Sequence, residues 1–470
     1  MARPPMRANS GRMSAWCYVL AWTATLAAQL LHLPQAGALA GLAILGFLLL
    51  EFANQRRYAQ VLFLALVGTG LIGVAAAARP LTLFLAAWQR GATYAAFFLA
   101  LTTLRDAAET SPLVRRCGRH LVAQPSGRRY AALTAGGHVF GIILSYGAIE
   151  LLAAMVARAN ANDTAVDETA RATRGRRMLM AIYRGFCVMN CWSPLNIMTA
   201  VVSTAVPAAP MHRLLPIAFV VAVGMAALGW LEDRVSAARR TTSPPDARTT
   251  ESWSIHLGII ALVAAVMLAA EGLSQGTGIT LVTAVTCVVP TVAALWLLIQ
   301  LHRQPRRILL AMLARRLHRY RLRIPGFRAE ATVLAASGFM AFAIGGALPA
   351  TGLAPLLAGL PPIAIPLLVP VVLIATGQIG LNPVAVVALL GAAIPDPGAL
   401  GVSSATLAFA FMLSWGLGVG MTPMSASAIT TARWLGVAPW TVSTVWNATF
   451  TFSALVLTWL AIIALNMVFG

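Results

Sequence analysis

Apolar residues run in blocks of about 20 along almost the whole chain, from residue 14 to residue 469, and short arginine-bearing connections separate them. A block of that length, coiled as a helix, matches the hydrocarbon thickness of a bilayer. Residues 14–31, 36–53, 58–78 and 81–104 predict four crossings. Basic residues precede the first, lie at Arg56 and Arg57 between the second and third, and follow the fourth. All three basic points then fall on one side, which places the amino terminus in the cytoplasm. The connection over 105–129, with Arg115, Arg116, Arg119, Arg128 and Arg129, belongs to the same side.

The next apolar block, 131–157, is followed by another basic segment holding Arg158, Arg171, Arg174, Arg176 and Arg177. A single crossing would put one of the two basic connections outside. A re-entrant hairpin removes the conflict, and Gly136, Gly137, Gly141 and Gly147 permit the close backbone approach it needs. The acidic insert ANANDTAVDE after it keeps a full crossing as the alternative.

Residues 178–206 are long enough to span, yet the middle reads NCWSPLN, with Asn190, Ser193, Pro194 and Asn196. Proline removes a helix donor and frees a carbonyl one turn earlier. Such backbone is tolerated at depth only inside protein or beside a watery cavity. Residues 404–435 repeat the design: GVGMTPMSAS sets Thr422 before Pro423 and Ser425 and Ser427 after it. Paired interrupted helices in corresponding halves point to the midplane site of a secondary transporter.

Counting crossings sets the two interruptions antiparallel. After 178–206, the blocks 214–231, 256–270 and 277–301 keep the basic connections at Arg234 to Arg248 and at 303–328 inside, and 331–348, 353–376 and 378–394 make three further crossings. The second broken helix then starts outside and the carboxyl terminus ends outside. Block 353–376 carries Pro355, Pro361, Pro362, Pro366 and Pro370, so a hairpin there is the alternative. The expected fold is an all-α polytopic membrane protein of about 10–12 transmembrane helices, with inverted repeats, a re-entrant hairpin and two broken helices. Its expected parts are N-terminal scaffold helices and a basic loop (1–130), a first transport repeat (131–231), connecting helices with a basic amphipathic segment (232–330) and a second transport repeat (331–470).

Composition narrows the function. With 470 residues, 59% of them hydrophobic and 10% charged, and a mean hydropathy of +0.79, the chain has no segment that reads as a soluble catalytic domain. The net charge of +20 sits in the short connections, so it reports topology and not nucleic acid. The five cysteines form no CxxC pair and lie mostly on apolar helices, which argues for packing and against a metal. No GxxxxGK[ST], DxxxD, HExxH or GxSxG with a downstream His is present. An intramembrane lipid or acyl transferase-type enzyme and a structural membrane subunit stand as alternatives to a carrier.

The paired hydroxyl-proline interruptions, together with GQIGLNPVAVVALLGAAI ahead of the second, resemble the ion transporter superfamily of secondary carriers, which includes sodium/dicarboxylate symporters and arsenite permeases. The resemblance covers 131–231 and 331–467. It implies a scaffold part and a transport part, substrate and sodium held at two hairpin tips and two broken helices, and a homodimer. The Ser-Asn-Thr signature of the dicarboxylate carriers is absent at the matching positions, which leaves substrate and coupling ion open.

Chemistry assigns expected roles. Half-helix amino termini suit a carboxylate or oxyanion, and hydroxyls and freed carbonyls around Ser193, Thr422, Ser425 and Ser427 suit sodium. The amides of Asn190, Asn196, Gln378 and Asn382 fit either ligand, with helix capping as the plainer role for Gln378 and Asn382 ahead of Pro383. His138 and Glu150, on opposite arms of the expected hairpin, are candidates for proton coupling. Arg184 is read as a cytoplasmic anchor. Residues 308–323, ILLAMLARRLHRYRLR, alternate apolar and basic positions and read as a helix lying on anionic lipid. The expected protein is not an enzyme. It binds no cofactor beyond a coupling sodium or proton, moves a small solute, contacts membrane lipids but no nucleic acid, and lies in the bacterial inner membrane.

Overall fold

The computed structural model describes residues 8–161, 167–238, 252–347, 354–357 and 359–469, and every regular element among them is helical. The chain begins with α1 (Ala8–Leu30), α2 (Pro34–Glu51), α3 (Arg57–Ala76), α4 (Pro80–Glu109) and α5 (Pro112–Val122). Pro34 and Pro112 occupy first helical positions, where a missing N–H leaves no bond unmade. Next come α6 (Ser126–Leu144), α7 (Gly147–Ala161), α8 (Glu168–Met189), α9 (Ile197–Ala205) and α10 (Met211–Ala238). The second half holds α11 (Leu257–Thr277), α12 (Leu281–Leu301), α13 (Arg306–Arg323), α14 (Arg328–Ala347), α15 (Ala354–Leu357), α16 (Ala364–Gln378), α17 (Pro383–Ala393), α18 (Ser404–Met421), α19 (Ala426–Leu435) and α20 (Ala448–Phe469). Among the described residues, eight segments are long and apolar enough to cross a membrane, and α16 and α17 are shorter apolar helices. The chain is a multi-pass membrane protein.

The helices form two compact units, each discontinuous in sequence. The first draws on residues up to 107, on 269–355 and on 387–395. In it α1 packs on α2 and α3 packs on α14. Small residues make the second pairing close: a methyl group at Gly70 would strike the Phe339 ring, and one at Gly73 the carbonyl of Ala343. Trp88 stacks on Phe339 with ring centroids 4.5 Å apart. Glu51, at the end of α2, does not reach for solvent. It is buried, accepting a 2.7 Å hydrogen bond from Ser14 with Arg328 at 3.5 Å.

The second unit draws on 108–268, 356–386 and 396 to the end. Its centre is the packing of α6 on α8, where side chains at Gly137 and Gly185 would collide with the carbonyls of Ile182 and Thr134. The two helices run parallel, since Tyr130 meets Arg184 and His138 meets Trp192, both pairs 54 positions apart. Between them α7 returns the chain. The turn is tight: Ser145 takes φ 52°, its N–H bonds the Gly141 carbonyl at 2.9 Å, and α7 begins at Gly147. Residues 126–161 therefore form a helical hairpin that brings the ends of α7 and α8 together, with Asn160 beside Gly175.

Both helix interruptions are present, at 190–196 between α8 and α9 and at 422–425 between α18 and α19. The region ahead of the second differs from expectation. The block 353–376 is divided by Pro361 and Pro362 into the single turn α15 and the 15-residue α16. The expected crossing over 378–394 is the 11-residue α17, about 16 Å long against the roughly 30 Å of a bilayer core. Gly380, at φ 88°, stops α16 with bonds from Leu381 N–H to Thr376 and from its own N–H to Gly377. That pattern is a Schellman cap, which only a residue tolerant of positive φ can close.

Candidate functional site

The two interruptions use different means to pair the backbone they free. At the first, α8 ends at Met189 and the closing groups come from the break itself. The Asn190 amide donates to the Phe186 carbonyl at 2.7 Å, and Asn196 donates to the Asn190 side-chain oxygen at 2.7 Å. Asn196 then caps α9 by accepting from Met198 N–H at 2.9 Å. Ser193, fully buried, accepts from Leu195 N–H at 3.3 Å, and Thr199 donates to the Ser193 carbonyl at 2.9 Å. Pro194 sits inside this knot, where no donor is asked of it.

At the second, donors arrive from distant elements. Pro423 cannot supply the N–H that would continue α18, so the last carbonyls of that helix need other partners. Thr422 folds back on the Gly418 carbonyl at 2.6 Å. The Gly420 carbonyl accepts from the Tyr183 hydroxyl and from the Asn447 amide, both at 2.9 Å, and the Met421 carbonyl accepts from Gln378. Ser425 caps α19 through Ala428 N–H at 3.2 Å and receives a bond from Ser427. Gln378 is held in turn by Thr444 at 3.1 Å. Thr444 belongs to a π-helical turn over Thr441–Val445, a rare geometry concentrated at functional positions.

Behind this cluster lies Arg184, 6% exposed. Its guanidinium donates to Asn447 at 3.0 Å, Tyr130 at 3.1 Å, the Trp446 carbonyl at 3.3 Å and Glu232 at 3.2 Å, and it sits 4.9 Å over the Phe450 ring. Arg184 is therefore a tie between α6, α8, α10 and α20. A second ion pair, Arg177 to Asp233 at 2.8 Å, fixes the same end of α10.

The breaks share one helix pair at different levels. Tyr183 meets Gly420, and Cys191 donates to the Leu413 carbonyl at 3.5 Å, so α8 and α18 cross antiparallel. Ser193 lies ten positions beyond Tyr183, the last four of them outside α8. Among the described residues no hydrogen bond joins the Asn190–Asn196 group to the Thr422–Ser427 group. Asn382 caps α17 through Val384 N–H at 2.9 Å, as the plainer expectation had it. His138 and Glu150 are not brought together. His138 accepts from the Trp192 indole at 2.8 Å and stacks against that ring, whereas Glu150 pairs with Arg433 of α19 at 2.5 Å. Because an indole N–H only donates, His138 Nε2 is the acceptor and the imidazole is neutral with its proton on Nδ1. The hairpin turn aims the two arms at different neighbours, α8 for one and α19 for the other.

Sequence reasoning missed Tyr183 and Asn447. The signal for Asn447 was present, a lone amide within the run TVWNATF ahead of an apolar helix. Tyr183 carried none, since a tyrosine in a buried helix is ordinary.

These elements define an all-helical membrane protein built around a helical hairpin and two antiparallel interrupted helices. No protein-family model matches the chain, and no curated protein matches it. Among solved structures it is similar to the YdaH transporter of Alcanivorax borkumensis, whose crystal structure is described as having an unusual topology. The TM-score is 0.51 at 15% identity, covering 77% of this chain and 84% of that one. The likeness is one of fold.

Proposed function

We infer that the chain is a secondary active transporter that moves a small polar, anionic solute across the bacterial inner membrane by alternating access, coupled to sodium or protons. The observation that carries this reading is the second break. There Tyr183, Asn447 and Gln378 hold the carbonyls of Gly420 and Met421 beside the amino end of a half-helix capped by Ser425. Carbonyls and hydroxyls in that arrangement suit a small cation, and a half-helix amino end suits an anion. Asn190, Ser193, Pro194 and Asn196 form the corresponding group at the first break, with Thr422, Pro423, Ser425, Ser427, Gln378 and Asn382 at or near the second. The resemblance to ion transporter carriers and the transporter whose fold the chain shares point the same way.

A melting-temperature screen of the purified protein against organic acids, oxyanions and amino acids, in sodium and in potassium, identifies the ligand. The solute that raises stability most is then followed into proteoliposomes. Ser193→Ala and Thr422→Ala each remove one hydroxyl, worth about 1 to 3 kcal/mol where it contacts ligand, and lower apparent affinity tenfold or more with normal expression. A double variant that transports at the wild-type rate overturns the assignment of both hydroxyls. The absence of any uptake by wild-type protein overturns the carrier reading.

A further inference from the structure

We propose that α13 is a docking surface for the anionic phospholipid of the cytoplasmic leaflet. The helix contains seven arginines and no acidic residue, and none of its residues is buried. One stripe is nevertheless fixed to the protein. Arg316 and Arg323 both reach Asp106 at 3.0 Å, and the Tyr320 hydroxyl meets Thr102 at 2.6 Å and the Leu99 carbonyl at 3.2 Å. Asp106, Thr102 and Leu99 all lie in the last turns of α4. These anchors hold α13 against the end of that helix, and its two ends are tied to the membrane as well. Four residues, 302–305, separate it from the apolar α12, and the short 3-10 turn Ile324–Phe327 leads straight into α14.

The remaining surface of α13 carries both kinds of group that a bilayer interface satisfies together. Arg306, Arg307, Arg315 and Arg319 are exposed. Leu310 and Leu317, seven positions apart and so on one line of the helix, are 57% and 71% exposed. Water alone leaves those leucines without partners, and a protein groove would have to neutralise four arginines at once. A leaflet supplies acyl chains for the leucines and phosphates for the arginines. The positive-inside arrangement of the neighbouring connections selects the cytoplasmic leaflet.

The test uses the full chain purified in neutral detergent, titrated with phosphatidylglycerol or phosphatidylcholine while its melting temperature is read. Wild-type protein is stabilised more by phosphatidylglycerol, and sodium chloride removes the difference by screening. The variant R306Q/R307Q/R315Q/R319Q melts like wild type in phosphatidylcholine and loses the phosphatidylglycerol preference. Its affinity falls at least tenfold, since each arginine near an anionic surface contributes roughly fivefold. Equal stabilisation of wild type by both lipids, a preference that persists in high salt, or a variant that keeps it, overturns the proposal. So does inorganic phosphate reproducing the whole effect, because the site would then hold a free anion. Where the variant fails to fold, the salt titration of wild type decides alone. No arm depends on transport.

Discussion

The first break pairs its freed backbone almost entirely with its own residues, Asn190, Ser193, Asn196 and Thr199, all within ten positions. The second is closed by Tyr183, 237 positions from Gly420, by Gln378, 43 positions from Met421, and by Asn447, 27 positions from Gly420. Two interruptions with the same sequence design, hydroxyl-proline followed by small polar residues, thus have different architectures. The first closes its backbone locally, although Cys191 and Trp192 within it also reach the Leu413 carbonyl and His138. The second holds its shape only while α8, α16 and the turn before α20 stay in place. Movement of α16 would free the Met421 carbonyl, and movement of both α8 and the turn before α20 would free that of Gly420, so any change of state is expected at the second break.

The largest effect is expected at Arg184. Arg184→Ala leaves Glu232, Tyr130 and Asn447 without their shared donor, and breaking a buried charged network of this kind costs about 3 kcal/mol. The melting temperature of the purified variant should fall by several degrees, and a variant as stable as wild type would detach Asn447, and the second break with it, from this network. Asn447→Ala comes next, because it removes a donor from the Gly420 carbonyl and an acceptor from Arg184, at about 2 kcal/mol. Asn190→Ala removes only contacts within its own break. A double-mutant cycle sharpens the contrast: Asn447 and Arg184 should couple, whereas Asn190 and Arg184 should be additive.

A smaller pair of changes separates local from long-range closure. Tyr183→Phe takes one of two donors from the Gly420 carbonyl while Asn447 remains, so stability falls by about 1 kcal/mol. Asn196→Ala removes the α9 cap at a similar cost of about 1 kcal/mol. Thermal melts should hardly distinguish the two variants. Transport, on the carrier reading, should: Tyr183→Phe alters the break that depends on distant donors. Equal transport by both variants would remove the functional difference between the breaks.

The same contrast explains how much was legible in the sequence. Both interruptions could be read because proline and amides inside apolar blocks violate a local rule, and so could the hairpin, from charges on its two flanks. Asn382 was legible as a cap because it stands directly ahead of Pro383. The closing groups of the second break were not, because Tyr183 and Asn447 become partners of Gly420 only through packing of helices distant in sequence. The error over 378–394 was of another kind. Gly380 and Pro383 are both visible turn residues, but the apolar run across them is long enough to read as a crossing. His138 and Glu150 take different partners because a hairpin fixes which residues are at similar depth, not which neighbour each arm faces.

The smallest expected effect concerns Glu150, whose partner Arg433 ties the hairpin arm α7 to the half-helix α19 at 2.5 Å. The side chains are 47% and 66% exposed, so water screens the pair and competes for both groups. Exposed ion pairs contribute about 0.2 to 1 kcal/mol, and Glu150→Gln keeps a hydrogen-bonding oxygen for the arginine, so the melting temperature should hardly move. The same contact nevertheless joins the self-contained hairpin to the segment just beyond the second break, the one place where α19 could part from α7. If the second break changes state during transport, loosening this tie should raise or lower the transport rate while stability stays constant. Charge reversal of both partners, Glu150→Arg with Arg433→Glu, should restore the wild-type rate. A Glu150→Gln variant with unaltered transport would show that α7 and α19 move as one piece, and the moving boundary would then lie on the Gln378 side of the break.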